Sequence, residues 1–284
     1  MVHPSTFRLL TIAVLSFIFN ACNQGGGAST ETSGVDTMAQ MAGDPDFQAA
    51  HEKPEALAFT GKGTMTEFPT PDGKQASAYI LRPEGMTAGK TLMVFHEWWG
   101  LNDYVKREAD RLFDSLGNVI VIAPDLYDGI VATSPDDAGK LMQNLSSERA
   151  KAIVEGAFGL AGDQAEIATI GWCMGGGWSL QASIMAGASA KGCVMYYGMP
   201  VQNAKELAPL KADVLFIHPT QDAWITQEVV DKFKALAKST KKQVTVHQFD
   251  ADHAFANPSN PKHNPEATQQ ANALALAFLR ERLK

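Results

Sequence analysis

The sequence predicts an α/β domain with a mostly parallel central sheet and helices on both faces. Three observations point there. From about residue 58 onward, short strand-like apolar runs alternate with segments of helical length. No break in composition after residue 58 marks a second domain. The 284 residues are 45% hydrophobic and 19% charged, enough to fill a substantial core and unlike a coiled coil or a broadly disordered chain.

The elements follow in order. Residues 61–68 and 75–81 read as two strands joined by Pro71-Asp72-Gly73, in which proline fixes φ and glycine tolerates a positive value. Residues 91–95 form a short apolar strand. A helix over 103–115 follows, with Asn102 or Asp103 as its cap. The strand at 118–123 stops at Pro124. A helix over 147–160 and a strand over 167–170 lead into a helix at 176–186. Strands at 192–197 and 214–218, a helix at 227–238, a strand at 243–249 and a helix at 265–284 complete the chain. The stretches 128–146 and 199–210 read as loops over a site. The opening hairpin is compatible with a mixed sheet.

The N-terminus differs from this pattern. Arg8 precedes the apolar run 9–19, and Asn20-Ala21-Cys22 follows, giving residues 1–21 the three-part form of an export signal. The run is too short for a stable membrane span. The segment also resembles a bacterial lipoprotein signal, which implies a lipid anchor on Cys22, although Phe19 and Asn20 stand where Leu and a small residue are usual. The expectation is an exported protein, anchored to a bacterial membrane or otherwise periplasmic or secreted. Residues 22–57, rich in small and polar residues to about position 50, read as a flexible tether to a domain at 58–284.

The net charge of −7, from 24 Lys+Arg against 31 Asp+Glu, repels a phosphate backbone, and no basic run reverses it locally. A nucleic-acid partner is therefore not expected. Of three cysteines, Cys193 lies in an apolar strand where a buried thiol is ordinary packing. With no CxxC and no close His/Cys cluster of zinc-site spacing, no metal is expected.

The strongest local signal is Ile170-Gly171-Trp172-Cys173-Met174-Gly175-Gly176. A strand ends, the chain turns tightly and a helix begins, as in a nucleophile elbow with cysteine in place of serine. Gly171 and Gly175 allow strand and helix backbones to pass closely. The helix N-terminus favours thiolate over thiol at Cys173. His253, after a strand, is the proposed base. Asp222, after another strand, orients it. Nucleophile, acid and histidine occur in the α/β-hydrolase order. His218 and Asp252 lie near these partners, and the sequence leaves open an exchange of roles with them. His96, beside Glu97 at a strand end, is expected to border the pocket.

These residues resemble the dienelactone hydrolase family of the α/β-hydrolase fold. The likeness is carried by His96-Glu97-Trp98-Trp99-Gly100-Leu101-Asn102, Pro124-Asp125-Leu126-Tyr127, the elbow, the loop with Asp222, and Asp252-His253-Ala254-Phe255. It runs from about residue 60 to the C-terminus. The resemblance implies a Cys173–His253–Asp222 triad acting on a small lactone or ester through a thioester, with no metal or organic cofactor. It gives Glu97 a particular role: beside the resting thiol it keeps the proton on, then changes partners when substrate binds. The oxyanion hole should use the backbone N–H groups of Met174 and Trp98. Trp99, Tyr127 and Phe255 are expected as pocket walls.

The pattern departs where substrate charge would be read. Family members acting on carboxylate-bearing dienelactones use pocket arginines, one shortly after the catalytic histidine. Here Asn257 stands in that place, and Lys140 is the nearest basic residue for the other. An amide gives no bidentate charged clamp. A broad carboxylesterase or thioesterase is therefore the alternative, followed by an exported binding protein whose catalytic residues are idle.

Overall fold

The computed structural model describes residues 34–284 together with Met1. The expected export signal at 1–21, Cys22 and the start of the tether, to residue 33, lie outside the described residues.

Eight strands form one sheet in the order β1-β2-β4-β3-β5-β6-β7-β8. The hairpin of β1 (Thr64–Pro69) and β2 (Gln75–Leu81) turns at Gly73, whose φ of 78° is the positive value the turn requires. Both hairpin pairings are antiparallel, β1 with β2 and β2 with β4 (Ile120–Pro124). The rest is parallel, running through β3 (Thr91–Phe95), β5 (Ile167–Trp172), β6 (Ala190–Tyr196), β7 (Asp213–Pro219) and β8 (Val244–Phe249). Parallel strands covered on both faces must be apolar throughout, and every residue of β3, β4 and β5 is buried. At the β8 edge burial lapses to intermediate and exposed positions.

In chain order, α3 (Asp103–Leu116) starts at Asn102, whose side chain accepts from the N–H of Val105 at 3.2 Å, so Asn102 rather than Asp103 is the cap. The helix α5 (Ser147–Ala161) is capped by Ser146. The helix α6 (Met174–Ala186) is buried over residues 174–183, as expected of a helix apolar on all sides. It begins two residues earlier than the sequence suggests, directly after Cys173. The helices α8 (Gln227–Ser239) and α9 (Pro265–Arg282) follow near their expected positions. The two stretches read as loops each hold a helix, α4 (Pro135–Asn144) and the short α7 (Ala204–Leu207). Ser134 and Pro135 are a cap and first-turn proline that announce α4.

The largest departure is at the N-terminal side. Residues 34–51, read as part of a flexible tether, form α1 (Gly34–Met41) and α2 (Pro45–Ala49), with Val35, Met38, Ala42, Phe47 and His51 buried. The spacing of Val35, Met38 and Ala42 is that of a helix face. Small polar neighbours hid this apolar stripe within the average composition. Gly34 passes so close to Pro200 that an added Cβ would lie 2.4 Å from its carbonyl oxygen.

Candidate active site

The strand β5 leads straight into Cys173, the candidate nucleophile. Cys173 has φ 53° and ψ −121°, a strained conformation for a residue with a side chain, and its N–H is held by the carbonyl of Tyr196 at 3.0 Å. This turn exists only because its neighbours lack side chains. A Cβ on Gly171 would sit 2.0 Å from the Gly175 oxygen, and one on Gly175 would sit 2.3 Å from the Phe95 oxygen. The thiol therefore stands at the sheet edge against the first amides of α6.

The loops after β7 and β8 bring the partners. Asp222 accepts from the N–H groups of Trp224 and Ile225 through Oδ1, each at 2.9 Å, which leaves Oδ2 for His253. His253 Nδ1 lies 2.7 Å from that oxygen, and both side chains are essentially sealed from solvent. A carboxylate accepts only, so Nδ1 carries the proton and Nε2 faces the thiol. A ring nitrogen of His253 lies within 4.8 Å of Cys173 Sγ, and with Nδ1 held by Asp222 the one left to face it is Nε2. Nε2 makes no hydrogen bond in this resting geometry. Such catalytic contacts commonly tighten only when substrate is present.

The electrostatics follow from enclosure. Burial pushes the Cys173 thiol up and the Glu97 charge adds to this, while His253 and the Met174 N–H pull it back without prevailing. For His253, burial opposes the proton, but Asp222 and the facing thiol outweigh it and hold the imidazole well above its ordinary value. Burial works against ionisation of Asp222 too, yet His253 and the two backbone donors keep it below the usual carboxylate range. These directions favour the proton on sulfur at rest, while Asp222 favours the imidazolium that forms once a neutral His253 takes a proton.

Glu97 follows β3. Burial raises its pKa to about 7, against the opposing influence of His253, Asn257 and Tyr197. Its carboxylate accepts from the Asn257 amide and, at 3.4 Å, from the Tyr197 hydroxyl. Asn257, expected where substrate charge is read, thus holds Glu97 instead.

A family model for dienelactone hydrolases matches residues 76–283. The chain belongs to the dienelactone hydrolase family. A carboxymethylenebutenolidase from a Pseudomonas species is 29% identical over 245 residues, covering 80% of this chain and 94% of that protein. Protein usf of Aquifex pyrophilus is likewise 29% identical over 235 residues, covering 78% and 99%. Among solved structures, a dienelactone hydrolase-like promiscuous phosphotriesterase from metagenomic libraries superposes with a TM-score of 0.67 at 22% identity, covering 79% of this chain and 100% of that one. Together these establish the α/β-hydrolase fold.

Within this dienelactone hydrolase fold, the competitors for catalytic roles are occupied elsewhere. His218 uses Nε2 on the Ile225 carbonyl at 2.7 Å and Nδ1 on Gln248. Asp252 accepts from the His253 N–H at 2.8 Å and pairs with Lys262. His96 is fully buried rather than at the rim: Nδ1 donates to the Glu97 carbonyl at 2.7 Å and Nε2 accepts from the Leu126 N–H at 3.0 Å. It pins the ends of β3 and β4 together.

The expected pocket walls divide. The Tyr127 hydroxyl donates to Met174 Sδ at 3.2 Å, close to the elbow. Trp99 packs edge-on against Trp98. Phe255 is fully buried between Tyr197 and Phe249, because an aromatic ring on the inner side of the His253 loop completes the core. Lys140 is exposed, pairs with Asp136 four residues earlier on α4 and does not line the cavity beside Glu97. A cavity of about 440 Å³ opens beside Glu97, lined also by Trp172, Asn257, Tyr104, Arg107, Arg111 and His263. The sequence reading did not single out those last four. Tyr104, Arg107 and Arg111 recur at helical spacing on α3, and that periodicity was the available signal. Arg111 already holds Glu108 with two nitrogens.

His51 was also missed. It stacks on Phe47, and its ring centroid lies 5.3 Å from that of His253 and 4.9 Å from that of Trp98. Its Nδ1 sits 2.6 Å from the Phe47 carbonyl, so that nitrogen bears the proton. Burial, assisted by His253, lowers its pKa to about 3 and keeps the ring neutral. Its Nε2 is buried without a hydrogen bond, as is the indole N–H of Trp98.

Proposed function

We propose that this chain hydrolyses a small lactone or ester through a thioester on Cys173. The observation that carries the reading is the left-handed elbow, which presents the thiol to an imidazole whose far nitrogen is fixed by a buried carboxylate. In the acylation step the thiol proton passes to His253 Nε2 and sulfur attacks the carbonyl carbon. The oxyanion is held by the N–H groups of Met174 and Trp98. Collapse breaks the ester C–O bond, and His253 returns the proton to the leaving oxygen. Water then loses a proton to His253 and attacks the thioester. The C–S bond breaks, releasing the acid and restoring the thiol. Every proton is carried by a side chain already in place.

Glu97 acts on the timing. Burial keeps the resting thiol protonated, and the charge of Glu97, held by Asn257 and Tyr197, adds to this. Substrate entering the adjoining cavity would compete for that carboxylate and remove the restraint. Cys173 is 1% exposed, so reaction requires such a movement. Because Asn257 is engaged by Glu97 and Lys140 pairs with Asp136 outside the cavity lining, neutral esters should compete well with an anionic dienelactone. A broader carboxylesterase remains the second reading on that ground.

The test is rapid quenching of the enzyme with p-nitrophenyl acetate followed by mass spectrometry. An acetyl group on the peptide carrying Cys173, absent from Cys173→Ala, is expected. Turnover by Cys173→Ala at the wild-type rate would end the proposal. Export and lipidation at Cys22 belong to the same proposal, motivated by the N-terminal pattern. Membrane-fraction recovery should be lost in Cys22→Ala, and unchanged fractionation would remove the anchor.

A further inference from the structure

The described residues contain one group of donors that hydrolysis does not fully use. Cys173 Sγ and one ring nitrogen each of His51 and His253 lie within 4.8 Å of one another, all buried, and because both Nδ1 atoms are already hydrogen-bonded the nitrogens left for this group are Nε2. We propose that these three side chains bind a zinc-type metal ion, which closes the nucleophile reversibly and fastens residues 34–51 over it. This goes beyond the hydrolase reading and stands without it.

The argument begins with the two imidazoles. A histidine that ligates a metal through one nitrogen typically donates its other N–H to a carboxylate or a backbone carbonyl, which fixes the tautomer and aims the free lone pair. Both rings have that arrangement. His253 Nδ1 is bonded to Asp222 at 2.7 Å, and His51 Nδ1 to the Phe47 carbonyl at 2.6 Å. Their Nε2 atoms are buried and make no hydrogen bond. In the triad only one imidazole is required, so the aim of the second is unexplained by hydrolysis.

The donor set then selects the ion. One thiolate and two imidazoles suit zinc and its soft neighbours, whereas calcium and magnesium require oxygen ligands. Tetrahedral zinc, with bonds of roughly 2.0–2.3 Å, places its donors roughly 3.4–3.6 Å apart. Contraction of about 1.2–1.4 Å from the 4.8 Å outer limit would reach that geometry, with a fourth position left for water. On binding, the thiol proton is released to solvent as the sulfur–metal bond forms. The lone pairs that perform acylation are then occupied.

The third ligand does not come from the domain common to the family. His51 precedes the matched span of 76–283. It ends the segment whose Phe47 packs on Trp98, Trp224 and His253, so a bound ion would join that segment to the elbow and to the loop after β8. The sequence shows no clustered metal ligands because the fold draws these three from distant positions.

The test uses the full chain, reduced and freed of metal, titrated first with cobalt(II) as a coloured substitute for zinc. One cobalt per chain, a thiolate-to-cobalt charge-transfer band and intense tetrahedral visible bands are expected, all displaced by zinc. Prior alkylation of Cys173 should abolish the band, and Cys193→Ala should retain it. His51→Gln should weaken zinc binding by about 100-fold or more, beyond the ~10–100-fold typical of losing a supporting contact. X-ray absorption of the wild-type zinc form should show one sulfur and two imidazole ligands, a readout independent of any variant's folding. Absence of the charge-transfer band, zinc coordination by a single imidazole, or wild-type affinity in His51→Gln would each overturn the site.

Discussion

Cys173 and Cys193 are two buried thiols on neighbouring strands, one at the end of β5 and the other inside β6. Burial raises both pKa values. Their surroundings differ. Cys193 sits opposite Thr169 in the sheet, with the Ser179 hydroxyl 3.5 Å from its sulfur, so only weak neutral partners reach it. Cys173 is the first residue past the strand end, where loops after other strands converge and bring an imidazole backed by a carboxylate. Enclosure disfavours the thiolate in both places. Position at the carboxyl edge of a parallel sheet supplies one of them with an imidazole.

The comparison breaks most visibly in turnover. Cys173→Ala should lower kcat/KM for p-nitrophenyl acetate by about 10⁴-fold or more, as when a triad member is lost. Cys193→Ala should remain within a few-fold of wild type, and a comparable loss there would erase the distinction. Next comes the carboxylate behind the base. Asp222→Asn should cost about 10³–10⁴-fold in kcat by disfavouring the productive tautomer, in a protein that still unfolds cooperatively. A near-normal kcat would show that His253 needs no such partner.

Alkylation sharpens the comparison at smaller amplitude. Iodoacetamide should label Cys173 in the folded enzyme and reach Cys193 only after denaturation. Glu97 ionises as pH rises through about 7, and its charge disfavours a second negative charge on sulfur. Wild-type labelling should therefore climb less steeply with pH above 7 than labelling of Glu97→Gln, which should react faster at each value. Parallel profiles would remove Glu97 from control of the thiol. The smallest effect concerns stability. Cys193→Ala leaves a small void and should cost about 1–2 kcal/mol in urea unfolding, with no change in slope.

The same contrast explains what the sequence made legible. The elbow is local: Gly171, Cys173 and Gly175 lie within one turn, and their spacing encodes the close approach directly. The order of Cys173, Asp222 and His253 at strand ends likewise transmits the architecture. Other features depend on tertiary pairing. Asn257 could be read only as a missing arginine, since its bond to Glu97 spans most of the catalytic domain. Lys140 looked available until α4 placed Asp136 beside it. The helices at 34–49 were obscured because their few apolar residues matter through where they land, on α6 and on the aromatic cluster around Trp98. Composition averages discard that information, and His51 was lost with it.

The cover over the sulfur has an implication for the order of assembly. Phe47 and His51 are synthesised before the rings they rest against, and Trp224 and His253 stand near the opposite end of the chain. Contacts between such distant parts form late, since a long loop must close before they are rewarded. A newly made molecule would therefore pass through an interval with its central strands paired and Cys173 unroofed, when oxidants or alkylating agents would reach that sulfur more readily than in the mature protein.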